Sequence, residues 1–278
     1  MNEDKSTRYQ RLRRRVAIAS LAWSITLLVG LAWSGGAVWL RQLLAGLVGA
    51  GKPTLLVVLY VAALVLLHEA GALAWSFYGG HVLERRYGLS TQSTRQWCVD
   101  QLKALAVTFV LGAPFAALIY WTMRLTPGWW WLLSGVLFAL IFAGLANLAP
   151  VVLLPLFYSI KPLAKDELRT RLLALAERAG ARVLGAYEWG LGDKSRRANA
   201  ALTGLGGTRR ILISDTMLAA YSDDEIEVVL AHELAHHVHG DIWKGLALES
   251  ALTLAGFFVA AQVLTWLGPR VGIETPSD

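Results

Sequence analysis

Ala231-His232-Glu233-Leu234-Ala235-His236 is the stretch on which the reading of this chain turns. In a helix, residues four apart lie one turn apart on one face, so the His232 and His236 imidazoles can reach one metal ion. Glu233 stands beside them, able to take a proton from a water the metal activates. Two nitrogen ligands, a carboxylate base and an open coordination position are what a zinc peptidase needs.

The flanking residues favour a helix. Ser222-Asp223-Asp224-Glu225 fits a capping box, with Ser222 as N-cap and Glu225 reaching back. Asp223, Asp224 and Glu225 put negative charge at the positive end of the helix dipole. Ile226, Val229, Leu230 and Leu234 follow at near-helical spacing, and no proline interrupts 222–267. The bland alternative is a solvated helix carrying surface histidines; the cap and the apolar setting count against it.

That setting is written in the composition. Of 278 residues 55% are hydrophobic and 17% charged, against about 45–50% apolar in soluble domains. Membrane spans explain the excess. The formal charge of +6 gathers in the first fifteen residues and around Arg85, which suits membrane topology better than nucleic acid, for which no motif is present. Cys98 is the single cysteine, which excludes an internal disulfide and a cysteine zinc cluster. The sequence ends Thr275-Pro276-Ser277-Asp278, without a CaaX signal of its own.

Lys5, Arg8, Arg11, Arg13, Arg14 and Arg15 precede an apolar run at 16–33, too long for a signal peptide and read as the first span. Residues 35–53 form a short connection with room for an interfacial helix. The second span, 55–75, holds His68-Glu69, a decoy because Ala72 stands where a second histidine is needed. These two groups either line a polar cavity or sit at a membrane end. Residues 78–101 read as a polar loop. The third span is 102–123, kinked at Pro114, and the fourth is 130–157, broken by Pro150 and Pro155. Trp129, Trp130 and Trp131 beside a turn suit a membrane interface, with core packing as the alternative. Asn147 reads as a helix–helix hydrogen bond rather than a catalytic group.

From Lys161 the character changes. Residues 164–179 read as an amphipathic helix with Leu168, Leu172, Leu173, Leu175 and Ala176 on one side, stopped by Gly180. Residues 183–189 and 210–214 suit strands, with 198–202 a candidate third. Gly204-Leu205-Gly206-Gly207 lacks a phosphate-loop lysine and reads as a hairpin turn. The fifth span, 246–267, follows the His232 helix almost directly, so the metal site lies close to the membrane. If the spans alternate, the N-terminus, the Arg85 loop and the Lys161 region share one side, cytoplasmic by the positive-inside rule.

In order along the chain, several motifs resemble the type I CaaX prenyl endopeptidases, integral-membrane zinc metalloproteases of the gluzincin kind. Val82-Leu83-Glu84-Arg85-Arg86-Tyr87-Gly88-Leu89 resembles the family's loop after the second span. Leu154-Pro155-Leu156-Phe157, Lys161-Pro162-Leu163 and Glu167-Leu168-Arg169 resemble its entry into the catalytic domain. Asn199-Ala200 and Arg210-Ile211-Leu212-Ile213-Ser214-Asp215-Thr216-Met217-Leu218 resemble the segment before the active helix. The resemblance implies that His232 and His236 bind Zn2+, that Glu233 is the general base, and that the strand carrying Asn199 holds substrate backbone. It further implies cleavage near the bilayer of prenylated or other membrane-protein substrates. Ala201 and Ala235 depart from the family's usual tyrosine and glycine.

No third ligand is evident. The family's third ligand is a glutamate on a later helix. Glu249, thirteen residues past His236, is about 20 Å along a continuous helix and on the wrong face. Glu274 lies beyond a full span, His239 is a further partial turn along, and His237 points about 100° away from His236. The metzincin position holds Ile242. The expectation is therefore a mostly α, polytopic membrane protein of about five transmembrane helices, with a small α+β zincin-like domain between spans four and five. Its parts are a membrane domain at 1–158, a metalloprotease domain at 159–245, and a fifth span with an apparently truncated end at 246–278. The function expected is a zinc metalloendopeptidase acting on peptide or membrane-protein substrates at the bilayer, without nucleic acid. The alternative is a metal-free, non-enzymatic membrane scaffold.

Overall fold

The computed structural model describes residues 4–49 and 51–271. The basic segment and the first apolar run form one helix, α1 (Lys5–Trp33), rather than a coil leading into a span. Lysine, arginine and glutamine are good helix formers, and no glycine or proline intervenes before Gly30. The connection contains α2 (Gly36–Val48), which at about 20 Å is too short to cross a bilayer. Helix α3 (Pro53–Phe77) opens on a proline, whose missing N–H costs nothing in a first turn. It runs on through a π-turn, Tyr78–Val82, into α4 (Leu83–Arg86). Helix α5 (Thr94–Leu125) continues through Pro114.

The polar loop expected over 78–101 thus shrinks to 87–93. Its far end is closed by a second capping box: the Ser93 N–H donates to Gln96 Oε1 at 2.9 Å, and the Gln96 N–H donates to Ser93 Oγ at 3.2 Å. That S-x-x-Q signature stood in the sequence unread.

By its contacts the chain divides into two units, Met1–Trp121 and Thr122–Asp278. In the first, α1 packs on α3. The Trp23 indole lies against Gly71, where an added Cβ would sit 2.0 Å from the ring, and its N–H donates to the His68 carbonyl at 3.0 Å. His68 Nε2 is 2.8 Å from Ser24 Oγ. The decoy His68 therefore links α3 to α1. Tyr9 is the buried residue of α1; its hydroxyl donates to the Glu84 carboxylate and its ring packs on Tyr87. The Glu84 and Tyr87 of the family-like loop are thus spent on fastening the N-terminal helix.

In the second unit α6 (Trp130–Leu148) loosens into a π-turn at Ala149–Leu153 before α7 (Leu154–Phe157). Pro150 removes a donor and crowds the preceding turn, which explains the widening. Helix α6 packs along a later helix, α11 (Asp241–Leu267). Trp130 is buried edge-on to Phe257 at 6.1 Å, and Trp131 meets Phe258 at 5.0 Å. Trp130 and Trp131 therefore pack against α11, while Trp129 is exposed. Among the described residues five helices are long and apolar enough to cross a membrane: Lys5–Trp33, Pro53–Arg86, Thr94–Leu125, Trp130–Phe157 and Asp241–Arg270.

Between α7 and α11 lies a four-stranded sheet of order β1-β2-β4-β3. Strand β1 (Ile160–Pro162), which the sequence reading missed, runs antiparallel to β2 (Ala186–Trp189). It has three residues and ends in a proline, which gives almost no alternation to detect and confines it to an edge. Strand β2 is parallel to β4 (Arg210–Ser214), and β3 (Ala200–Thr203) is antiparallel to β4 across the expected hairpin turn. Helix α8 (Asp166–Arg178), the short α9 (Asp215–Ala220) and α10 (Asp223–Val238) cover the sheet. Leu168, Leu172 and Ala176 of α8 join Ile226, Leu230 and Leu234 of α10, Met217, Ile211 and Ile213 in one core. Arg171 reaches from α8 to Asp224 at 2.6 Å and to Glu227, and Lys165 meets Asp223 at 3.1 Å.

Candidate metal centre

Helix α10 carries the site, and its first turn forms as the sequence implies. The Ser222 N–H donates to Glu225 Oε2 at 2.8 Å and the Glu225 N–H returns to Ser222 Oγ at 3.4 Å. The Ser222 N–H, then its hydroxyl, hold the Glu225 carboxyl below its ordinary pKa. With Ile226, Leu230 and Leu234 anchored in the core, the remaining face of α10 is turned outward. His232 and His236 stand on it, exposed, with ring centroids 5.0 Å apart and planes at 81°. Glu233 between them is half-buried.

The other two histidines face elsewhere. His237 Nε2 lies 3.4 Å from Nη1 of the buried Arg209. Burial, then the Arg209 charge, lower the His237 pKa. Burial likewise lowers that of Arg209. His239 caps α10 and turns back, its Nδ1 2.7 Å from the Ala235 carbonyl.

Helix α10 does not continue into α11. Gly240 has φ +68, a left-handed conformation that ends the helix and redirects the chain. The proline-free run of 222–267 is therefore two helices. One consequence is that Asp241, the first residue of α11, places Oδ2 2.8 Å from His236 Nδ1. Lys244 Nζ holds the other oxygen at 3.2 Å. Asp241 was not singled out from sequence, because on a continuous helix it would point away from His236; the signal available was the glycine between them.

Two imidazoles one turn apart, one of them with Nδ1 already bonded, present donors that fit a nitrogen-preferring divalent ion such as zinc. Among the described residues no three His, Cys, Asp or Glu side chains gather as a metal-holding group. Glu249 is exposed on α11, and Glu274 lies outside the described residues.

Asn199 immediately precedes β3. Its N–H donates to Ser214 Oγ at 2.8 Å and its carbonyl accepts from the Ser214 N–H at 2.9 Å. Both backbone groups are thus committed to β4. Alternation along an antiparallel ladder then turns the N–H and C=O of Ala200 and Leu202 away from β4, at the edge of the sheet, where Ala200 is buried and Leu202 half-buried. Asp215, quoted above only as part of the family-like segment, fixes the loop before this strand by accepting from the N–H groups of Leu191 at 2.9 Å and Gly192 at 2.8 Å. Beside the end of β3, Thr203 and Gly204 join Pro150, Leu153, Leu154 and Phe157 around an apolar cavity of about 460 Å³.

Comparison with known proteins bears on these residues. The family model described as the CAAX prenyl protease N-terminal region, with five membrane helices, matches residues 2–159, and that of peptidase family M48 matches residues 162–272. A Bacillus subtilis protein named uncharacterized metalloprotease YhfN is 32% identical over 180 residues, which cover 65% of this chain and 42% of that protein. CAAX prenyl protease 1 of Saccharomyces cerevisiae is 31% identical over 163 residues, 58% of this chain and 36% of that one. The crystal structure of S. mikatae Ste24p superposes with a TM-score of 0.82 at 23% identity, covering 93% of this chain and 61% of that one, a likeness of fold. The chain therefore spans less than half the length of these two curated relatives.

Proposed function

The chain is a multi-pass membrane protein of the CAAX prenyl protease family of M48 peptidases, and from that premise we propose that it is a zinc metalloendopeptidase, with His232 and His236 as metal ligands and Glu233 as general base. The observation that carries this reading is the exposed His232–His236 pair on α10, set opposite the core residues Ile226, Leu230 and Leu234, with the half-buried Glu233 beside it. Zinc, when bound, supplies Lewis acidity toward water and toward the peptide carbonyl. Glu233 takes the proton of the attacking water on its carboxylate oxygen and returns it to the leaving amine nitrogen. The proton thus moves once in each direction through one residue.

Substrate backbone adds to the edge of β3 beside the half-buried Leu202, by strand addition. Asn199 contributes through its side-chain amide, since its backbone groups are engaged by Ser214. The neighbouring apolar cavity takes a hydrophobic side chain or prenyl group. That the yeast relative is named a CAAX prenyl protease supports prenylated peptides as substrates. The cations of 5–15, Arg85, Arg86 and Lys161 favour a cytoplasmic catalytic domain, lying between a membrane region at 1–158 and a fifth span from 246.

Elemental analysis of detergent-purified protein, paired with cleavage of farnesylated and unmodified CaaX peptides, tests this. About one zinc per chain is expected, lost in His232→Ala/His236→Ala. Glu233→Gln keeps the metal and abolishes cleavage. Undiminished turnover in Glu233→Gln rejects the assignment.

A further inference from the structure

Residues five apart on a continuous α-helix are separated by about 140° around its axis, so their side chains do not meet. His236 and Asp241 are five apart, yet His236 Nδ1 and Asp241 Oδ2 are 2.8 Å apart. The left-handed Gly240 is what brings them together, since it ends α10 and starts α11 in a new direction. Lys244, one turn into α11, holds the second carboxylate oxygen at 3.2 Å and fixes how the carboxylate is turned.

We propose that Asp241 is a positioning residue for His236: it holds the imidazole proton on Nδ1 and presents the Nε2 lone pair on the outer face of α10, beside His232. Which ring nitrogen of a histidine binds a metal is set by the hydrogen bond the other one makes. A carboxylate behind a ligating imidazole also fixes the ring and raises its basicity. His236 has such a partner and its Nδ1 is consumed by it, which leaves Nε2 as the donor nitrogen. The Gly240–Asp241 pair thereby ties the start of α11 to the orientation of one ligand.

An acid at the first position of a helix also suits the helix dipole. The two roles give different outcomes. A dipole role leaves the His236 tautomer unchanged when Asp241 is altered; a positioning role does not.

The inference rests on reading His236 as a metal ligand, and the test separates the two. Nitrogen-15 NMR of histidine-labelled protein in lipid bilayers, at about pH 8.5 where imidazole is neutral, reads the tautomer without metal; His236→Gln identifies the resonance. The Nδ1–H form is expected to dominate. Asp241→Ala should shift His236 toward the Nε2–H form, and Asp241→Asn, which keeps an acceptor oxygen, should restore much of the Nδ1–H population. Thermal unfolding of each variant checks that the fold is retained. Zinc affinity should fall about 10- to 100-fold in Asp241→Ala and recover in part in Asp241→Asn. An unchanged tautomer in Asp241→Ala overturns the positioning role whatever the metal does. Zinc affinity unaffected by His232→Ala and His236→Ala overturns the ligand reading instead, and leaves the tautomer result standing.

Discussion

Asn147, inside an apolar helix, holds Thr208 in the turn of a β-hairpin. The Thr208 hydroxyl donates to Asn147 Oδ1, and the same oxygen accepts from the Leu205 N–H at 3.1 Å. Sequence reading had matched Asn147 to a second helix, because a polar amide in a span usually pairs with one. Here it fastens α6 to the β3–β4 turn, next to the apolar cavity at the end of β3. Asn147→Leu should destabilise the protein by about 1–3 kcal/mol, since the Leu205 N–H loses its nearer acceptor and keeps only Thr208 Oγ1 at 3.3 Å. Thr208→Val should cost less. A double-mutant cycle of chemical unfolding in detergent measures the coupling; additive losses would show that the two residues do not depend on each other.

The contact of Trp23 with Gly71 gives a second prediction. An alanine Cβ at Gly71 would fall 2.0 Å from the indole, so α1 and α3 must separate or the ring must leave. Either outcome breaks the Trp23 N–H bond to the His68 carbonyl and disturbs the Ser24–His68 pair. Gly71→Ala should therefore cost about 1–3 kcal/mol as an overpacking change. Gly256→Ala, where nothing lies within 4 Å, is the control. Equal unfolding midpoints for the two variants would reject the close approach.

What was legible in the sequence was whatever rests on local pattern. The capping box at Ser222, the Ile226–Leu230–Leu234 stripe and the five apolar runs each depend on residues close in the chain, and each appears in the fold. What escaped depends on chain direction. A left-handed glycine is invisible to hydrophobic periodicity, so the turn between the His232 helix and the fifth span was not placed and Asp241 passed unnoticed. Strand β1 escaped because three residues carry no alternation. The partners of Trp130 and Trp131 escaped too, because Phe257 and Phe258 lie on a helix far along the chain.

The first turn of α10 makes a pH-dependent contribution with a definite sign. Glu225 has a depressed pKa in the folded chain because the Ser222 N–H and hydroxyl bond to its carboxylate. Its stabilisation is fully present above the ordinary glutamate value of about 4.3 and is lost as pH falls through the lower folded value. Ser222→Ala should cost about 1 kcal/mol at neutral pH, and the difference from wild type should narrow as the pH drops below about 4. Unfolding midpoints across that range check it; a gap that widens on acidification would contradict the assignment.

Gly240 offers the sharpest separation of backbone from side chain. A Cβ there meets nothing within 4 Å, so a substitution is opposed only by the left-handed backbone at φ +68. Gly240→Ala should then cost about 1–2 kcal/mol and Gly240→Asn less, because asparagine tolerates that conformation better. If alanine is accommodated by straightening α10 into α11, Asp241 swings away from His236 and zinc affinity falls as it does in Asp241→Ala. If instead the turn holds under strain, stability falls while metal affinity stays. Measuring both quantities on Gly240→Ala and Gly240→Asn distinguishes the cases. Full stability together with full affinity in Gly240→Ala would mean that the chain reverses there without needing a glycine, and that the break belongs to the Asp241–Lys244 contacts rather than to the backbone.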